Sequence, residues 1–110
     1  MNQPTYTRTR SSDSTGRNFT PQTIQAVWMK ARTIAGYAPN LWRMDACGAP
    51  IYWSHYGLTT QSTGWEIDHI NPVANGGNDT LGNLQALQWS NNRYKGDSLS
   101  QNYCVVPGRS

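Results

Sequence analysis

Long apolar runs are missing from this sequence. No stretch approaches the roughly 18 consecutive apolar residues of a membrane-spanning helix, so no membrane partner is expected. The N-terminal stretch MNQPTYTRTRSSDSTGRNFT has no apolar middle either. That argues against a secretory signal and makes a cytoplasmic location the default expectation. Cysteine is scarce: Cys47 and Cys104 are the only two. They form no Cys-x-x-Cys pair, which argues against a zinc site built on such pairs; free thiols are the expected state in a reducing compartment, with a disulfide as the alternative. Acidic side chains are also few, six Asp and Glu against nine Lys and Arg. The net charge of +3 is a mild basic bias, compatible with a nucleic-acid partner without demonstrating one.

What is present is aromatic and polar. Only 36% of the 110 residues are hydrophobic, yet there are five Trp and six Tyr, so a few large rings must supply much of the core. The length suits one domain. Residues 1–19 are rich in Ser, Thr, Arg and Asn and read as a disordered polar tail, followed by a single domain over 20–110. The alternative for that tail is a basic arm using Arg8, Arg10 and Arg17 along a phosphate backbone. Thr20 as N-cap, Pro21 at the first helical position, and Ile24, Val27, Trp28 and Ala31 at helical spacing predict a helix over 21–34. Gly36 and Pro39 follow as breakers. A short strand or hairpin is expected around 50–54. WEIDHI alternates Trp65 and Ile67 against Glu66 and Asp68, which predicts a strand. NPVANGGNDTLG is a loop with tight turns, NLQALQ a second short strand, and SNNRYKGDS a helix opening at Ser90. The segment Tyr103 to Val106 offers a further apolar contact. No internal repeat is visible.

The chemistry concentrates between Gly64 and Asp97. Asp68 and His69 are adjacent at the end of a strand, where alternation sends neighbours to opposite faces, so both serve one site only if the strand distorts. Asp68 and Asn92 offer hard oxygen donors of the kind that, with water and a phosphate oxygen, hold Mg²⁺ or Mn²⁺. His69 can take a proton from water near neutral pH. Arg93 and Lys95 could grip phosphate oxygens. Metal, base and phosphate clamp are the parts of a metal-assisted phosphodiester hydrolysis.

At this point the sequence resembles a family. DHINPVANGGNDTLGNLQALQWSNNRYKGD is similar to the signature of HNH endonucleases: Asp-His, a Pro three residues after the His, Gly-Gly, Asn-Leu-Gln, and Asn-x-x-Lys-Gly-Asp. The stretches VWMKARTIAGYAPNLWRMDACGAPI and GWEIDHI resemble a compact subgroup, so the likeness covers about residues 24–98. It implies an α+β fold: a small ββα-metal (His-Me finger) core at about 64–98, an N-terminal helix and short additional strands. By position it implies His69 as general base and Asp68 as metal ligand. Asn83 would brace the loop and help orient the base. Asn92 would be the second metal ligand, where histidine is frequent and asparagine favours a hard cation. Lys95 falls where a phosphate contact is expected. One divalent ion is implied, Mg²⁺ or Mn²⁺ foremost, with Ni²⁺ or Zn²⁺ as alternatives. Many members bind a structural zinc through two Cys-x-x-Cys pairs. Here the second pair would fall at Gln88 and Asn91 and only Cys47 remains near the first, so no structural zinc is expected and Trp65, Leu87 and Trp89 should pack that region instead.

Other polar residues carry less. Glu66 shares the Asp68 face and reads either as support for the metal or an added ligand, or as a surface carboxylate or structural partner. His55 reads as packing, Asn91 as a structural cap, and Asp97 as a helix end. Arg43 and Asp45 read as a mutual pair. The expected activity is DNA cleavage by a monomer or weak homodimer, with weak specificity or specificity borrowed from a protein partner, because no separate recognition domain is visible. The alternative is a nucleic-acid-binding module that keeps the motif and does not cut.

Overall fold

Thr20 begins the first helix as expected. Its Oγ1 accepts the Thr23 N–H at 3.1 Å, and Pro21 sits where a missing N–H costs nothing. In this computed structural model, which describes residues 11–98 and 102–108, that helix (α1) covers Pro21–Lys30 and stops short of the expected 34. Arg43 accounts for the stop. Its buried guanidinium donates to the carbonyls of Met29 (3.2 Å), Ala31 (3.0 Å) and Pro39 (2.9 Å). A cation on the last carbonyls satisfies them and suits the negative helix end. Arg43 therefore serves α1 and does not pair with Asp45.

The chain next forms a small antiparallel sheet of β1 (Arg32–Thr33), β2 (Trp42–Met44) and β3 (Pro50–Tyr52), in that order. The strand expected to reach 54 ends at Tyr52, and Trp53–His55 form a 3-10 turn. A second, two-stranded antiparallel sheet pairs β4 (Trp65–His69) with β5 (Leu84–Gln88), opposing Ile67 to Ala86, Asp68 to Gln85 and His69 to Leu84. Both strands lie where the alternation placed them. Helix α2 (Trp89–Lys95) follows β5 without a loop, because the Gln88 side chain caps the amides of Ser90 (2.8 Å) and Asn91 (3.1 Å). No helix among the described residues is long and apolar enough to cross a membrane.

The β4–β5 hairpin separates two environments. Trp65, Ile67, Leu84 and Ala86 face the core with Phe19, Val27, Trp28 and Ile51. The Trp28 ring lies 5.2 Å from Trp65 and 5.4 Å from Trp53, so the aromatics carry the core as the composition required. The opposite face presents Glu66 and Asp68 to α2.

Three expectations need correction. The polar tail does not stay apart from the domain: from Ser11 onward it packs against it. Ser11 Oγ accepts the Ile67 N–H at 2.8 Å and bonds the Tyr56 hydroxyl at 2.8 Å, Asp13 closes a turn on Thr15 and Arg17, and Phe19 enters the core. Residues 1–10, with Arg8 and Arg10, lie outside the described residues. The two cysteines are not free thiols: Cys47 and Cys104 form a disulfide with Cα atoms 5.5 Å apart. The region where the resemblance would place a second cysteine pair is knit by a carboxylate as well as by packing. Asp45, 1% exposed, accepts from the amides of Cys47 and Ala49 through Oδ1, and from the Gln88 amide and the Asn91 side chain through Oδ2, all within 2.8–3.0 Å. Asn91 in turn pins the C-terminal segment through both backbone groups of Val106, at 2.9 and 2.7 Å. Trp65 and Leu87 are buried, but Trp89 is only half-buried.

Candidate active site

The hairpin delivers Asp68 and His69 at its last two paired positions. β4 remains regularly paired through His69, so the expected distortion is absent and the two side chains leave on opposite faces; because the strand ends at His69, the two faces meet at its end. They anchor two adjoining half-sites.

On the α2 side, Asp68 is buried. Its Oδ2 accepts the Gln85 amide at 2.9 Å, and both oxygens lie 3.2 Å from the Lys95 ammonium. Burial pushes the Asp68 carboxyl above its ordinary pKa, with Gln85 and Lys95 opposing part of that rise. Lys95 also donates to the His69 carbonyl at 3.0 Å and is 4% exposed. A lysine read as a phosphate grip is thus turned inward, because it balances the buried carboxylate across one helical turn from Asn92. Asn92 donates its amide N–H to Glu66 Oε1 at 2.8 Å, and Arg93 lies 3.5 Å from Glu66 Oε2. Glu66, Asp68, Asn92 and Lys95 form one polar face between strand and helix. The Arg93 guanidinium lies 5.9 Å from the Trp89 ring and half of its side chain reaches solvent. Among the described residues no group of three or more His, Cys, Asp and Glu gathers as a metal shell.

On the other side, the His69 ring sits 5.9 Å from Phe19. Its Nε2 lies 2.8 Å from Asp79 Oδ1. Asp79 belongs to the loop between β4 and β5. Gly76, at φ 88°, and Gly77, whose absent Cβ leaves room for the Asn71 carbonyl, turn that loop back on itself. Asn83 holds the loop closed: its Oδ1 accepts the Asn71 amide at 2.8 Å, and its Nδ2 donates to the carbonyls of Asn71 (3.1 Å) and Asn78 (2.8 Å). Asn83 braces the loop, then, while the contact to the ring is made by Asp79. Hydrogen bonds from Ser14 and His69 outweigh a desolvation that alone would raise the Asp79 pKa, and hold it below the ordinary carboxylate value.

Asp79 and Ser14 escaped the sequence reading. The signal for Asp79 was an acid just past a Gly-Gly turn, in a loop that must close over the strand end. Nothing local marked Ser14. The remaining candidates have structural surroundings: His55 Nδ1 bonds Thr63 at 2.7 Å, Asn91 is fully buried, and Asp97 lies exposed beyond α2.

Comparison with known proteins adds a family. Residues 45–98 match the HNH endonuclease family. No curated protein and no solved structure gives a match to the chain. The matched segment runs from the Asp45 node to the end of α2, and so contains both half-sites but not Ser14 or Phe19. From Asp45 to Ser98 the chain belongs to the HNH endonuclease family.

Proposed function

We propose that this chain is a metal-dependent endonuclease that hydrolyses phosphodiester bonds in DNA. The observation that carries the reading is the pairing of half-sites at the end of β4. A hard-oxygen face around Asp68 adjoins a buried, oriented imidazole at His69, inside a segment that belongs to a nuclease family.

The donors suit a hard dication such as Mg²⁺ or Mn²⁺. Asp68 and Asn92 would hold it through carboxylate and amide oxygens, with Glu66 fixing Asn92 by its amide nitrogen and leaving the oxygen end for the cation. A dication there would share the Asp68 carboxylate with the Lys95 ammonium, which lies 3.2 Å from it. When bound, the metal supplies positive charge to the phosphate and leaving oxygen. His69 takes a proton from water, the hydroxide oxygen bonds to phosphorus, and the phosphorus–oxygen bond opposite breaks. The departing oxygen then takes a proton from solvent. Arg93 offers an exposed guanidinium for the phosphate backbone, and such contacts make binding salt-dependent.

The test is supercoiled plasmid in Mg²⁺, in Mn²⁺ and in excess chelator, with DNA binding followed in parallel. Cleavage in metal that chelator abolishes, and that Asp68→Ala loses, is the expected result. A folded protein that binds DNA and cuts in no metal would leave a binding module in place of an enzyme.

A further inference from the structure

Residues outside the family match reach the candidate base. Ser14 donates its backbone N–H to Asp79 Oδ1 at 3.0 Å and its hydroxyl to Asp79 Oδ2 at 2.6 Å. The same Oδ1 meets His69 Nε2 at 2.8 Å. Ser14, Asp79 and His69 therefore form one chain of hydrogen bonds across three segments: the N-terminal arm, the loop and the end of β4. The arm itself is anchored on either side, by Ser11 on Ile67 and by Phe19 in the core beside the His69 ring.

We infer that Asp79 is a positioning residue for His69 and that Ser14, on the N-terminal arm, sets the Asp79 carboxylate in place. This rests on His69 being the general base. A neutral imidazole has one N–H and one lone pair, and an ionised carboxylate can only accept. The Asp79 contact thus places the proton on Nε2 and leaves the lone pair on Nδ1, the nitrogen that receives a proton from water. As Nδ1 takes that proton the ring becomes cationic, and Asp79 faces it with a negative charge at hydrogen-bond distance. The same division of roles between an orienting carboxylate and a working imidazole underlies the serine-protease triad. The clamp from Ser14 occupies the remaining Asp79 oxygen, so the carboxylate cannot swing away from the ring without breaking two further hydrogen bonds.

The test compares the wild-type chain with Asp79→Ala, Ser14→Ala and His69→Ala. Asp79→Ala is expected to lower kcat by about 10–100-fold, a part of the 10²–10⁴ that a general base supplies, with KM little changed. Ser14→Ala keeps the backbone contact and is expected to lower kcat less, by roughly 3–10-fold, a smaller part of the same contribution. A spectroscopic arm needs no catalysis. The chain has two histidines, so ¹⁵N shifts of the His69 ring can be assigned against a His55→Gln variant. The neutral wild-type ring is expected to carry its proton on Nε2, and Asp79→Ala to move it toward a mixture of tautomers. Unchanged ring shifts and unchanged kcat in folded Asp79→Ala, or a wild-type ring protonated on Nδ1, would overturn the inference. If His69→Ala cuts as fast as wild type, the base assignment itself fails, whatever Asp79 does to the ring.

Discussion

One buried carboxylate ties three parts of the fold together. Asp45 accepts four hydrogen bonds from the β2–β3 turn, from the end of β5 and from α2. Removing it strands several buried donors at about 1–3 kcal/mol each. Asp45→Ala is therefore expected to cost about 3–5 kcal/mol, the range for breaking a buried polar network, read as a lowered urea midpoint with an unchanged slope. The placement of Asp68 and His69 at a strand end, Asn83 at the close of the loop and Asn92 on the helix was legible because it follows from residue type at short, fixed spacing. Asp45, Asp79 and Ser14 were not, because their partners lie 43 and 65 residues away and only the fold brings them together. Lys95 shows the same limit: a basic residue beside a candidate site looks like a phosphate clamp until a buried carboxylate is found facing it.

Elements were legible where local chemistry sets them. Thr20 and Pro21 mark the start of α1, and alternation marks β4 and β5. The end of α1 was not legible, since Arg43 closes it from another strand. The arm from Ser11 to Phe19 was missed because a polar composition measures apolar burial and not hydrogen bonding to an ordered strand. Its contacts should weaken in acid. Asp79 is held below its ordinary pKa by Ser14 and His69 despite some desolvation, and Asp13 by the Thr15 hydroxyl and the Arg17 amide. A carboxylate with a lowered folded-state pKa stabilises the fold above its unfolded pKa of about 3.9, and that contribution is lost as pH falls through the lowered value. The Ser14 amide resonance should hold its position down to about pH 4, the ordinary carboxylate range, and move below it. Movement well above that range would contradict the arm contacts.

For the whole molecule, the Cys47–Cys104 disulfide closes a separation of 57 residues and ties the C-terminal segment to the β2–β3 turn. Reduction, or Cys104→Ser, is expected to lower stability by about 2–4 kcal/mol, chiefly through the unfolded chain. Both half-sites lie on the β4–β5–α2 unit and neither cysteine contributes to them, so cleavage by the folded reduced protein should persist. Denaturant midpoints and plasmid nicking with and without reductant check the two statements together. The described residues of one chain carry one candidate site, so under the proposed function relaxed circles should form before linear DNA.

The most direct test is His69→Ala on supercoiled plasmid with Mg²⁺, beside wild type and with binding measured on the same samples. Metal-dependent nicking by wild type, with a drop of about 10²–10⁴ in the variant and intact DNA binding, is the expected result. Equal cleavage by both proteins would contradict the account, and so would a wild-type protein that binds DNA and never cuts it.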